Sequence, residues 1–349
     1  MTSHFAGYSK ASIEIPRTAV HRRFDIHVGR CGDCGRRIQP RHSLQTSDAL
    51  GAAACQLGPD AQTAIALMKN RYGLSYGDIV GLFKDLFGIP LSPGGAARTV
   101  RRAARRGRSA YEQLIESVRK SDGVVPDETG WKVGGRLHWL WDFVTDRATV
   151  YVIRASRGFD VLSEVLGADY SGRMTHDGWP PYNRLIHAVH QQCLAHLLRR
   201  AGELRDRATS TGRRFPQGVG DILKGSLTLR DRHAAGKVGD SGLAIARGRL
   251  ENRLDALLSM RLTNASNARF KSHLQKHRDA IFTFLYDNRF DATNWRAEQA
   301  IRPIVVNRKV FGGNRTRNGA HALEVLGSLF ATCRQSGTDA FDYLSTLLR

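Results

Sequence analysis

Three acidic residues sit in local contexts suited to chemistry on a charged backbone: Asp127 in PDETGW, Asp177 in THDGWPPY and Glu298 in TNWRAEQAIRP. Carboxylates drawn from distant segments can converge on divalent cations. Phosphoryl transfer needs an activated nucleophile and a stabilised leaving oxygen, and two Mg2+ (or Mn2+) ions about 3.5–4 Å apart serve both. Mg2+ takes few, hard oxygen ligands and keeps several waters, so three carboxylates suffice. In that arrangement Asp127 bridges both ions, while Asp177 and Glu298 each bind one. A structural role is the alternative. Asp177 can start the turn DGWPPY, and Glu298 can pair with Arg296 or Arg302 along a helix. Glu128 rivals Asp127, but strand alternation points it to the opposite face. Asp291 rivals Glu298, but it precedes a helix start capped by Thr293 or Asn294.

The chain around these acids is strongly basic. Its 349 residues hold 53 Lys and Arg against 32 Asp and Glu, a net charge of +21. That excess is beyond what solubility needs and favours a nucleic acid through steering and counterion release. The five cysteines are too few and scattered for a disulfide scaffold, so a reducing, cytoplasmic setting is expected. The N-terminus lacks the apolar stretch of a signal peptide, and no run reaches the ~18 apolar residues of a membrane span.

The acids must be positioned by particular elements. VVPDETGWKV, RLHWLWDFVT and ATVYVIRAS are β-branched or aromatic runs separated by GG and DRA, and they predict a three-stranded meander. A helix is expected over residues 159–166. GRMTHDGW reads as a strand ending on an acid, and RLIHAVHQQ as a further strand or a strand-to-helix junction. From Cys193 to about Asp287 the pattern is helical and rich in Arg. The Glu298 helix starts near Asn294 and runs to Val310, and the tail packs back as helices. This order is that of an α/β, RNase H-like core, in which the acids fall on the first strand, at the end of the fourth strand and on a later helix. The 121 residues from Asp177 to Glu298 exceed one strand–helix step, so a helical insertion of roughly 90 residues is expected between them.

Upstream, residues 59–106 carry apolar residues at helical spacing, with a turn GIPLSPGG before the basic stretch AARTVRRAARR. Two helices, a tight turn and a basic helix outline a helix-turn-helix module. Arg98, Arg101, Arg102, Arg105 and Arg106 then face phosphates or guanines; a helical linker with a solvated basic face is the alternative. The tract NRKVFGGNRTR offers Arg308, Lys309, Arg315 and Arg317 to phosphates, with Gly312 and Gly313 allowing close approach. The expected organisation is a basic region over 1–58, a helix-turn-helix-like domain over 59–110, core segments over 120–198 and 291–349, and the insertion over 199–290.

Four long stretches resemble one family: DETGWKVGGRLHWLWDFVT, SRGFDVLSEVLGADYSGRMTHDGWPPY, HQQCLAHLLRR and NWRAEQAIRPIVVNRKVFGGNRTRNGA. They occur in order, and from about residue 25 onward the chain resembles the insertion-sequence-66 family of bacterial transposases. The resemblance implies a DDE transposase with metal ligands at Asp127, Asp177 and Glu298. It implies binding of element ends, two-metal cleavage of double-stranded DNA, and strand transfer of the freed 3′-OH into a target. It further implies a homo-oligomer on nucleoid DNA, with accessory proteins of the same element as candidate partners. An RNase H-like nuclease without strand transfer, or a DNA-binding regulator without catalysis, are the alternatives. The family also carries an N-terminal zinc-finger region, and here the chain departs. Cys31 and Cys34 form a single C-x-x-C knuckle, two of the four ligands a structural zinc needs. His21, His27 or His42 would complete the site, or the finger is degenerate. Cys193 and His196, in CLAH, share a helix face and either pack structurally or bind metal.

Overall fold

A Gly-Gly pair sets the register of the central sheet. Gly134 and Gly135 both take positive φ (58° and 79°), the geometry of the tight turn that joins twisted antiparallel strands. The computed structural model describes residues 13, 18–45 and 56–349; Cys55 and much of the N-terminal region lie outside them.

Among the described residues the first elements form a small hairpin, β1 (Gly29–Arg30) and β2 (Arg37–Ile38), around the Cys31–Cys34 turn. Four helices follow: α1 (Pro59–Asn70), α2 (Tyr76–Phe87), α3 (Pro93–Arg106) and α4 (Arg108–Arg119). α2 begins where Ser75 and Asp78 cap each other reciprocally and stops at Gly88, whose φ is 65°. Next come β3 (Gly123–Val133), β4 (Arg136–Val144) and β5 (Thr149–Arg154), then α5 (Phe159–Leu166), β6 (Arg173–His176) and β7 (Val189–Gln192). The helices α6 (Leu194–Arg207), α7 (Arg214–Ala234), α8 (Asp240–Ser259) and α9 (Ala265–Lys276) enclose a hydrophobic core of their own. The chain then returns through α10 (Trp295–Phe311), α11 (Arg317–Ser336) and α12 (Ala340–Leu348).

The result is a mixed α/β structure. Its five-stranded sheet runs β5-β4-β3-β6-β7, with the first three strands antiparallel and β6 and β7 parallel to β3. One face carries Val125, Trp131, Leu140, Val144, Tyr151 and Ile153 beneath α10 and the start of α11. The other carries Val124, Trp141, Phe143, Val150 and Val152. This second core is continuous with buried residues of α1–α4, α5, α11 and α12.

An exposed edge strand would leave a row of unpaired backbone groups. Here α11 covers β5. The N–H groups of Thr149, Tyr151 and Ile153 donate to Thr332 Oγ1 (3.1 Å), Ser328 Oγ (2.8 Å) and Glu324 Oε1 (2.7 Å). Three acceptors spaced four apart on a helix thus meet three donors spaced two apart on a strand. On the same edge, Tyr111 donates to the Tyr151 carbonyl at 2.9 Å and Arg317 to the Ile153 carbonyl at 3.3 Å.

Ser328 is fully buried. Ser328→Ala strands the Tyr151 N–H, so thermal unfolding should show a loss of about 1–3 kcal/mol. Ser336→Ala, at the exposed end of the same helix, should stay within about 0.5 kcal/mol of the parent.

Candidate active site

Asp127 lies midway along β3, and its neighbours alternate between environments. Val125 faces α10, while Glu128 turns to the other face. There Glu128 takes an ion pair from Arg157 (2.7 Å) and a hydrogen bond from the Tyr182 hydroxyl (2.5 Å). Strand alternation therefore separates the two acids as the sequence predicted, and Glu128 is fully employed away from Asp127.

Asp177 follows the last residue of β6. β3 and β6 pair in parallel through Gly123–Arg173 and Val124–Met174, an offset of fifty residues. Asp127 and Asp177 are also fifty residues apart, so this register, carried on past its last pair, would bring them level. The paired ladder ends three residues before them.

The turn after Asp177 is held tightly. Asp177 Oδ1 accepts the Trp179 N–H at 2.8 Å, so this acid does start the turn as well as face the site. His176 Nδ1 accepts from the Gly178 N–H at 3.0 Å, which leaves Nε2–H to donate to His190 Nδ1 at 3.0 Å; His190 Nε2 in turn donates to the Leu185 carbonyl at 3.0 Å. This chain requires both imidazoles neutral, and burial holds both below the ordinary value. Gly178 has φ 89°, and a side chain there would meet Gln192 Oε1 at 2.5 Å.

Glu298 is in the first turn of α10, whose N-cap is Asn294. The Asn294 side chain does not cap the helix as the sequence suggests. Its Oδ1 instead accepts from Cys193 Sγ at 3.0 Å, while its N–H donates back to that sulfur at 3.3 Å. Cys193 N–H also donates to the His176 carbonyl at 2.8 Å. Cys193 therefore joins the end of β6 to the start of the Glu298 helix. His196 Nδ1 lies 3.2 Å from Cys193 Sγ; burial and the Arg199 charge hold its ring below the ordinary value, against the opposing charges of Asp177 and Glu298. A second link runs from Glu128 through Arg157, which stacks on Trp139 (4.5 Å) and Trp179 (4.0 Å). Ala297 and Ala300 seat α10 against Val125 and Val144.

The acids are close enough to repel. Burial, followed by the charges of Glu128, Asp177 and Glu298, raises the Asp127 carboxyl to about 7. The ion pairs among the described residues include none to Asp127, Asp177 or Glu298. Arg296, the candidate partner of Glu298, pairs with Asp146 (2.6 Å) and Asp291 (3.7 Å) instead. One buried acid was missed by the sequence reading: Asp142 of β4, directly opposite Asp127. It is fully buried, neither oxygen has a hydrogen-bond partner, and burial and Asp127 push its carboxyl well up.

A family model for the IS66 family of transposases matches residues 54–322. The chain belongs to the IS66 transposase family. It is also 24% identical over 273 residues to the uncharacterized protein y4qI of Sinorhizobium fredii (strain NBRC 101917 / NGR234), covering 68% of this chain and 49% of that protein. The chain thus spans about half the length of the curated relative it matches.

Hard carboxylate oxygens without a compensating cation suit Mg2+ or Mn2+. Among the described residues, no three His, Cys, Asp or Glu side chains converge in ligating geometry. The knuckle in this IS66-family chain offers Cys31 and Cys34 alone. Backbone N–H groups of Cys34 and Asp33 lower the Cys31 thiol, an environment suited to thiolate, but no third ligand joins the pair among the described residues.

The basic candidates divide. Arg98, Arg101 and Arg105 are exposed on α3, Arg102 is half-buried, and the four line a groove of ≈ 480 Å³ with Asn318 and His321. Lys309 and Arg315 are exposed. Arg308 turns inward, donating to Thr129 Oγ1 at 3.0 Å and to the Gly130 carbonyl. Arg317 is exposed but donates to β5, as described above. The close approach at Gly313 (φ 120°) is likewise internal: a side chain there would meet the Lys132 carbonyl at 2.4 Å.

The raised Asp127 carboxyl has a signed consequence. Between the unfolded value of 3.8 and about 7, the folded chain binds the extra proton, so this group's contribution to stability falls as pH rises through that window. Without divalent cations, Asp127→Asn should raise Tm relative to the parent at about pH 8, and the difference should shrink toward about pH 5. A difference independent of pH would contradict the assignment.

Proposed function

We propose that this chain is a DDE transposase that binds the ends of its mobile element, cleaves the DNA and joins the freed 3′-OH to a target. The observation carrying this reading is that Asp127, Asp177 and Glu298, from three separate segments of an IS66-family chain, lie near enough for the charges of the last two to oppose ionisation of the first, with no ion-pair partner among the described residues. The 5-4-3-6-7 strand order, with only the second strand of the meander reversed against β3, supports an RNase H-like core. On that reading α6–α9 form the helical insertion.

Asp127, Asp177 and Glu298 would hold two Mg2+ or Mn2+ ions. When bound, such a pair supplies Lewis acidity for in-line phosphoryl transfer. The protein's own part is placement. The β3–β6 register would bring two acids level, Cys193 and Asn294 fix the helix that carries the third, and the neutral His176–His190 chain holds the Asp177 turn. Arg98, Arg101, Arg102 and Arg105, in a helix-turn-helix arrangement of α2 and α3, would neutralise phosphates with Lys309 and Arg315. Holding two ends together requires an oligomer on DNA. Among the described residues no helix is long and apolar enough to cross a membrane; action on nucleoid DNA in the cytoplasm fits the charge.

Purified full chain, element-end DNA, Mg2+ and a target plasmid should give nicked and joined products. Asp127→Asn, Asp177→Asn and Glu298→Gln should each cut product by more than about 100-fold, since even residues behind a metal's ligands cost 10–100-fold. DNA binding should survive all three. Nicking without joining would favour a plain nuclease, and binding without nicking a regulator.

Arg98→Ala, Arg101→Ala and Arg105→Ala should each weaken end binding and lower the slope of log affinity against log salt by about 1. Unchanged slopes, measured by fluorescence anisotropy, would remove α3 from the DNA contact.

A further inference from the structure

Asp142 lies between Asp127 on β3 and Tyr151 on β5 in one row across the sheet. Directly opposed residues of antiparallel strands share a face, with Cβ atoms about 4.5–5.5 Å apart. Asp142 therefore stands on the Asp127 side, under α10.

No side chain donates to its carboxyl group, and only the nearby backbone N–H groups of Asp142 and Asp127 favour its charge. On this face the α10 residues Ala297 and Ala300 pack with Val125 and Val144, an apolar cluster. The neighbouring hydroxyl that could donate, on Tyr151, is spent on the Ala300 carbonyl at 2.6 Å. Asp142 is 0% exposed, and both its oxygens lack a hydrogen-bond partner. A buried polar group left without a partner is costly, and a carboxylate most of all. A well-packed apolar residue would fill this position at no such cost. An acid kept here, against Asp127, points to a cation as the missing partner.

We propose that Asp142 is a fourth carboxylate of the site, giving an oxygen to the divalent cation that Asp127 holds. This rests on the reading of Asp127 as a metal ligand. Asp127 would then be gripped between strands: β3 carries one ligand, β4 the one behind it, and β6 and α10 the other two. The competing account is an uncharged Asp142 that only fills space.

Calorimetric titration of the full chain with Mn2+ separates the two, with thermal melts of the metal-free proteins alongside. The parent should bind Mn2+, and Asp127→Asn should abolish binding. Asp142→Asn keeps the shape and removes the anionic oxygen. It should weaken Mn2+ binding at least about tenfold, while the metal-free Tm holds or rises. Asp142→Ser, smaller and uncharged, gives the same comparison if the Asn variant folds poorly. Mn2+ affinity within about twofold of the parent in both Asp142 variants, with Asp127→Asn unable to bind, would overturn this inference alone. Equal binding by the parent and Asp127→Asn would overturn it together with the metal-ligand reading of Asp127.

Discussion

Acidic side chains must be held near one another against their repulsion, and much of the chain is arranged around that constraint. Asp127 at about 7 is the measure of it: burial and three neighbouring acids all oppose its ionisation. Left to themselves, flexible carboxylates would move apart into water. The backbone prevents this. The β3–β6 register, carried on past its last pair, would bring Asp127 and Asp177 level, and small side chains at Ala297 and Ala300 let the Glu298 helix settle onto the sheet. Most polar contacts near the site restrain backbone or neighbouring residues, not the acids. Arg157 takes Glu128 rather than Asp127, and Arg296 takes Asp146 and Asp291 rather than Glu298. Charge that would neutralise the cluster is thereby diverted one residue or one turn away.

The same economy of contacts closes the far edge of the sheet. α11 meets β5 with Glu324, Ser328 and Thr332, so a helix completes the hydrogen bonding that a sixth strand would otherwise supply. The first turn of that helix also lines the groove where Arg98, Arg101 and Arg105 lie exposed. α1–α4, α11 and the sheet share one continuous core, so the basic helix and the acid-bearing strands pack into the same body of side chains. A DNA contact at α3 would thus be referred to the acids through the core, not through a flexible linker.

Much of this was legible in the sequence. Alternation and turn chemistry marked all three strands of the meander, helical spacing marked α1, α2 and α3, and α5 fell on the expected residues 159–166. Long segments with strong periodicity specify their own state, which is why they could be read. α4 went unread because RSAYEQLIESVR follows α3 with only Gly107 between, so no turn marks its start. Asp142 was missed for a different reason. The GG turn implies that Asp142 opposes Asp127, but an acid in the apolar run WLWDFVT was read only as part of a strand. Arg308 and Arg317 look like phosphate ligands in NRKVFGGNRTR; only tertiary structure shows their guanidinium groups donating to carbonyls of β3 and β5. The links through Cys193 and Asn294 or Arg157 and Trp179 join residues 101 and 22 positions apart, beyond the reach of any local pattern.

The most direct measurement is anomalous diffraction from crystals of the full chain with element-end DNA and Mn2+. Two-metal binding at this site requires two peaks about 3.5–4 Å apart, with carboxylate oxygens of Asp127, Asp177 and Glu298 within about 2.0–2.3 Å of them. Mn2+ bound elsewhere, with these three carboxylates still apart in the presence of DNA, would contradict it.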